Sequence, residues 1–131
     1  ANLAVKMSLD ILVLHVVHDP LDAPGFYAPK GHKKSLRKLK ELAEERMGSF
    51  MAAFQENNSN LQCIEKWKTM LVCGLPVTRI LEVVKSCDPF MVVMGSEGRT
   101  GLANIMLGSK AEQLVRLCPA PVTIIKKLES K

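Results

Sequence analysis

The feature that most constrains this chain is the regular exchange of two hydrophobic periodicities. Short, nearly continuous apolar runs occur at Ile11 to Val17 (ILVLHVV), Lys66 to Cys73 (KWKTMLVC), Phe90 to Met94 (FMVVM) and Val122 to Ile125 (VTII). Such β-branched runs suit strands covered on both faces, as in a parallel sheet. Between them lie segments whose apolar residues recur every three or four positions, the spacing of an amphipathic helix. One runs from Ser35 to about Gln55 through Leu36, Leu39, Leu42, Ala43, Met47, Phe50, Met51 and Phe54. A second opens at Pro76, where a proline wastes no amide, and carries Val77, Ile80, Leu81 and Val84. A third spans Ser109 to Leu117 and is ended by Pro119 and Pro121, while Ala1 to Ser8 reads as the end of a further helix. Strand, helix, strand, helix, strand, glycine loop, helix, strand is the order of an α/β fold with a parallel sheet. Right-handed crossovers then place helices on both faces, giving a doubly wound open sheet.

Length and composition narrow the classes further. With 131 residues, the chain is expected to form one domain with one core. No apolar run approaches the roughly 20 residues needed to span a bilayer, and no basic leader precedes a hydrophobic stretch. A soluble, cytoplasmic protein without membrane partners is the expectation. Cys63, Cys73, Cys87 and Cys118 have irregular spacing and read as buried, reduced thiols. His15, His18 and His32 supply no ligand spacing with them, so no metal site built by protein alone is expected. The net charge of +5 raises the question of nucleic acid. Much of the excess lies in Lys30, Lys33, Lys34, Arg37, Lys38 and Lys40, near the start of an amphipathic helix, and one Trp and one Tyr offer little for base stacking. The pattern reads as a solvated basic face, and nucleic acid is not an expected partner.

The segment Met94 to Ser109, MGSEGRTGLANIMLGS, carries the chemistry. It follows a strand directly, and in open parallel sheets ligands collect beyond the carboxyl ends of strands. Glycine there lets backbone amides approach a ligand with no Cβ between them. Ser109 begins the next helix, so its hydroxyl is placed to cap that helix or touch a ligand, and the first-turn amides attract anions. A phosphate chain is the natural guest. The segment contains neither GxxxxGK[ST] nor GxGxxG, so it is a different loop from both familiar phosphate binders.

Gly95, two residues, Gly98, nine residues, then Gly108 and Ser109 resembles the nucleotide motif of the ATP-binding branch of universal stress proteins. Asp88 before FMVVMG, Arg99, the run GSKAEQLVRLCPAPVTIIKK, HVVHD, and Gly74-Leu75-Pro76 are similar to that family as well. The resemblance implies an adenine nucleotide alpha hydrolase-like sheet of strand order 3-2-1-4-5, with ATP or another adenine nucleotide, and Mg²⁺ with it, at the central strand ends. It places Val16 or Val17 near the base, Met94 and Gly95 near the ribose, and Gly98, Arg99, Gly108, Ser109 and Lys110 near the phosphates. Two departures stand out. The family's first strand, with its adenine-contacting aspartate, has no counterpart before Ile11, and Glu97 stands where the family often has histidine.

No nucleophile elbow, paired carboxylates or water-orienting residue is evident, so no catalytic residues are assigned and a ligand-gated regulator is expected. Glu97 working with a metal is the one route to hydrolysis. Pro121 begins a last strand suited to an edge, and the resemblance implies a homodimer through Val122 to Ile125. The alternative function is a dimeric interaction module of the same fold with no functional nucleotide site.

Overall fold

The computed structural model describes residues 2–58, 67–96 and 107–126. The chain divides into two compact units, Ala1–Leu75 and Pro76–Lys131. The first contains helix α1 (Asn2–Lys6), strand β1 (Leu12–His18), a 3-10 turn (Pro20–Asp22), helix α2 (His32–Asn57) and strand β2 (Lys68–Gly74). The second contains helix α3 (Pro76–Cys87), strand β3 (Val92–Gly95), helix α4 (Ser109–Leu117) and strand β4 (Val122–Ile125). This is the α/β alternation expected, with every paired strand parallel.

In the first unit β1 and β2 pair from Leu12 opposite Lys68 to His18 opposite Gly74. The Lys68 amide donates to the Ile11 carbonyl at 2.9 Å, and the Asp19 amide to the Gly74 carbonyl at 3.0 Å, so the ladder continues one residue past each end of β1. Backbone groups alternate sides along a strand. Ile11, Val13, His15, Val17 and Asp19 therefore bond toward β2, and the amides and carbonyls of Leu12, Leu14, Val16 and His18 point away from it. Gly74 ends β2 at φ +136°, a conformation only glycine adopts without strain. At the start of β2, Trp67 packs on Phe54 of α2 with ring centroids 5.1 Å apart, and Phe54 stacks on Phe50 at 6.2 Å.

In the second unit β3 and β4 pair from Val92 opposite Val122 to Gly95 opposite Ile125. The Val92 amide donates to the Pro121 carbonyl at 2.8 Å and the Ser96 amide to the Ile125 carbonyl at 2.9 Å. By the same alternation Met94 bonds toward β4, and the amide and carbonyl of Gly95 face away from it. Val84 of α3 and Ala111 and Leu114 of α4 are the buried apolar side chains of this unit among the described residues. Asp88, at φ +44°, closes α3 by donating its amide to the Val84 carbonyl at 2.9 Å. Aspartate is among the few residues that tolerate this left-handed geometry.

β1 beside β2 and β3 beside β4 are the adjacent pairs that the order 3-2-1-4-5 retains once its first strand is left out. Several boundaries differ from the expectations. α2 begins at His32 rather than Ser35, because Gly31 at φ +90° turns the chain into the helix earlier. The strands shift toward their carboxyl ends, to His18, Gly74 and Gly95. The strands are also less covered than a doubly buried sheet requires: Val17 is the one fully buried residue of β1, and β3 alternates half-buried with exposed positions. Cys87 is exposed at the end of α3 and Cys73 and Cys118 are half-buried, so the described thiols are not the buried set expected, and Cys63 lies outside the described residues.

Candidate functional site

The best-defined site element is the junction of β3 and α4. Strand β3 delivers Met94, Gly95 and Ser96 in succession, and α4 starts at Ser109 with Gly108 as its N-cap. The Gly108 amide donates to the Ser96 carbonyl at 3.0 Å, which brings the two ends of the glycine-rich segment to one point. Ser96 is buried there, and its amide is held by Ile125, so the junction is fixed on both sides. Beyond it the amides of Ser109, Lys110 and Ala111 are first-turn groups with no intrahelical acceptor. Together with the positive end of the helix dipole they offer an anion a set of aligned donors. The exposed Lys110 adds a cation to the same turn.

The glycines at this junction are not there for backbone angle. Among the described glycines, positive φ occurs at Gly25, Gly31 and Gly74, whereas Gly108 has φ −58° and ψ 143°. Any residue adopts that conformation. What glycine supplies at Gly95 and Gly108 is the missing side chain, which leaves the backbone open to close approach. Of the two roles expected for Ser109, capping falls away: the N-cap is Gly108, no side chain caps the helix, and Ser109 is the first helical residue. Its hydroxyl is thereby left for another acceptor or a guest.

The other expected contacts fall elsewhere. Gly98, Arg99 and Glu97 lie outside the described residues. Val16 and Val17 belong to the first unit. Val17 is 7% exposed, so its side chain is part of the core, and its backbone is committed to β2. Val16 differs, because its amide and carbonyl point away from β2 at the carboxyl end of β1. The residues brought together within the second unit are thus Met94, Gly95, Ser96, Gly108, Ser109 and Lys110.

At the carboxyl end of β1 and β2 a second polar cluster appears that the sequence reading did not single out. Asp19 is buried; its Oδ1 accepts the Leu21 amide at 3.0 Å and its Oδ2 meets Nε2 of His32 at 3.1 Å. Burial works to raise the Asp19 carboxyl pKa, but the His32 hydrogen bond, the Leu21 amide and the nearby charges of His32 and His18 outweigh it and hold the group below its ordinary value. Asp22 accepts the Leu75 amide at 3.3 Å, tying the same turn to the end of β2. The signal available was Asp19, which closes HVVHD one residue after β1. An open groove of about 460 Å³ between α2 and β2 of the first unit is lined by Met47, Met51, Thr69 and Leu71, and shares no residue with the Asp19 cluster. Its charged rim residues, Lys40 and Glu44, already pair at 3.9 Å, and it gathers no convergent polar set.

Parallel strands joined by helices, with a strand-to-helix junction at a carboxyl strand end, define the α/β class of folds. The profile of the universal stress protein family matches residues 1–126, and the chain belongs to that family. It is 27% identical over 126 residues to universal stress protein MJ0531 of Methanocaldococcus jannaschii, covering 96% of this chain and 70% of that protein. It is 29% identical over 126 residues to universal stress protein Mb2019 of Mycobacterium bovis, covering 94% of this chain but 37% of that longer protein. The solved structure of universal stress protein UspA from Lactobacillus plantarum shares the fold, with a TM-score of 0.75 at 21% identity over 95% of this chain and 82% of that one.

Proposed function

We propose that this protein binds an adenine nucleotide, ATP or a close relative with its Mg²⁺, at the junction of β3 and α4, and acts as a regulatory binding protein rather than by turnover. The observation that carries this reading is the combination at Gly108: a glycine with ordinary backbone angles, bonded to Ser96, at the start of a helix. At these angles the backbone itself does not need glycine. A phosphate chain does, because amides can reach it only where no side chain intervenes.

The described donors fit phosphate oxygens in number and charge: the first-turn amides of α4, the Ser109 hydroxyl and the Lys110 ammonium. Gly95, with its backbone groups facing away from β4, suits a neutral sugar hydroxyl. Gly98 and Arg99 are proposed to complete the phosphate contacts, and Val16 or Val17 to contact the base. Mg²⁺ would enter with the nucleotide, whose own phosphate oxygens are its natural ligands. The binding change would then alter loop order and a partner surface. We further infer a homodimer through β4, whose outward backbone groups belong to Val122 and Ile124.

The test is mass spectrometry of small molecules released on denaturing the purified protein, followed by calorimetric titration with ATP and Mg²⁺. Recovery of an adenine nucleotide, or affinity near the micromolar range, is expected. Gly108→Val should weaken binding at least about tenfold while leaving the circular dichroism spectrum intact, because its φ and ψ accept a side chain. Lys110→Ala should weaken it less, about threefold to tenfold, and flatten the salt dependence. An empty protein without affinity would instead favour the dimeric interaction module.

A further inference from the structure

Six cations, Lys30, Lys33, Lys34, Arg37, Lys38 and Lys40, lie between Ala23 and Lys40 with no Asp or Glu among them. From Glu41 onward α2 mixes its signs, as a merely solvated helix does, but its first turns do not. Lys33, Arg37 and Lys40 recur at the spacing of one helix face, with Lys34 and Lys38 beside them. All are exposed, whereas the half-buried side of α2 carries Leu36, Ala43, Met47 and Phe54. Arg37 and Lys40 pair with Glu41 and Glu44, and Lys30, Lys33, Lys34 and Lys38 make no ion pair among the described residues. Cations at this end of a helix oppose its dipole, so they do not serve the folding of α2. The segment that leads into the helix adds two aromatic side chains, Phe26 at 64% exposure and Tyr27 at 95%. Tyr27 precedes Lys30 by three residues, so their backbones stand within about 11 Å of each other by chain length alone.

We infer that the first turns of α2, together with Phe26 and Tyr27, are a docking surface for a bilayer that bears anionic headgroups. Clusters of about four to eight Lys and Arg on a helix are drawn to such a surface. Aromatic rings settle at headgroup level, with the ring in apolar surroundings and the tyrosine hydroxyl in water. Among the described residues no helix is long and apolar enough to cross a membrane, so the contact is peripheral. The expectation of no membrane partner rested on the lack of a spanning run and of a leader, and neither bears on a peripheral contact.

The make-up of the patch favours a bilayer over other polyanions. Five of the six cations are lysine. Protein interfaces and base-reading sites favour arginine, whose planar fork matches one fixed partner, and protein interfaces are poor in lysine. A fluid sheet of headgroups calls for point charges on flexible stems, which lysine supplies. Single-stranded nucleic acid calls for rings set among the cations, whereas Phe26 and Tyr27 are adjacent and precede all six. The surface shares no residue with the junction of β3 and α4, so it stands or falls apart from nucleotide binding.

The experiment is co-sedimentation of the whole chain with vesicles of phosphatidylcholine alone, or of phosphatidylcholine and phosphatidylserine at about 3:1, over a range of salt. The chain should sediment with the anionic vesicles only, and less so as salt rises. Each lysine at the surface should contribute about fivefold, so the triple variant Lys33→Gln, Lys34→Gln, Lys38→Gln should bind roughly a hundredfold more weakly. Phe26→Ser with Tyr27→Ser should cost about tenfold or more and leave the salt dependence as it was. Lys85→Gln, at an exposed lysine of α3, should change nothing. All these side chains are exposed, and circular dichroism should show the fold unaltered. The inference is overturned if the chain does not prefer anionic vesicles, if the triple or the aromatic variant binds as wild type does, or if Lys85→Gln costs as much as Lys33→Gln. It is equally overturned if single-stranded RNA or polyglutamate, at the same concentration of charge, strips the protein from the vesicles, which would assign the patch to nucleic acid or to an acidic protein.

Discussion

Leu114 shows how much one side chain can carry in a unit this thin. It is 1% exposed, on the face of α4 that also buries Ala111. Truncating it removes buried methyl groups and leaves a cavity that neighbours only partly fill. Leu114→Ala should cost about 2–4 kcal/mol of stability, read as a lower urea midpoint by circular dichroism. The helix that carries it was legible from the sequence, as Ser109 to Leu117, but which of its residues is most buried was not. The Ser96 carbonyl that receives the Gly108 amide was not legible either, because a backbone acceptor leaves no mark in the choice of side chain. The glycines were legible as a spacing, but the reason for them, an absent Cβ rather than a positive φ, needed the backbone angles. The capping alternative for Ser109 failed for a related reason: serine favours N-caps, and here the neighbouring glycine occupies that position.

Elements were read most securely where proline marks an end. α3 and α4 begin at Pro76 and Ser109 as expected, and β4 runs from Val122 to Ile125 between Pro121 and the terminal lysines. α2 was harder, because five basic residues near its start oppose the helix dipole and argue for a later beginning. What starts it at His32 is tertiary, the Gly31 turn and the bond to Asp19, and neither is a local propensity. The ion pairs Arg37 with Glu41 at 3.6 Å and Lys40 with Glu44 at 3.9 Å form as the spacing predicts, but both are exposed and add only about 0.3–0.5 kcal/mol each. For β4 the alternation of backbone groups makes a sharp test of the proposed dimer. The amides of Thr123 and Ile125 serve β3, while that of Ile124 faces outward. Ile124→Pro deletes one outward donor and no donor to β3, so light scattering should report a monomer where the unaltered protein is a dimer.

At the scale of the molecule, the α/β class was legible because alternating periodicities survive in any order of packing, and the family likeness agreed with it. The degree of burial was not, since an apolar run announces a preference for cover without saying how much is supplied. Acid stability is the global property most directly tied to a described group. The folded-state pKa of Asp19 is depressed, so its contribution is present above the unfolded value of about 3.9 and disappears as pH falls through the lower folded value. Asp19→Asn should therefore make the acid limb of a stability-versus-pH curve shallower, read from urea midpoints measured at descending pH.

The bond from Gly108 to Ser96 also bears on how such a protein can diversify. Because strand and helix meet there, the residues from Glu97 to Leu107 depart from and return to a single place. The entropy of closing such an excursion rises only logarithmically with its length, about 0.6 kcal/mol for each doubling. If the junction holds a ligand as proposed, insertions and deletions between those two residues can change which guest is admitted at little cost to folding, so that scaffold and specificity are free to evolve apart.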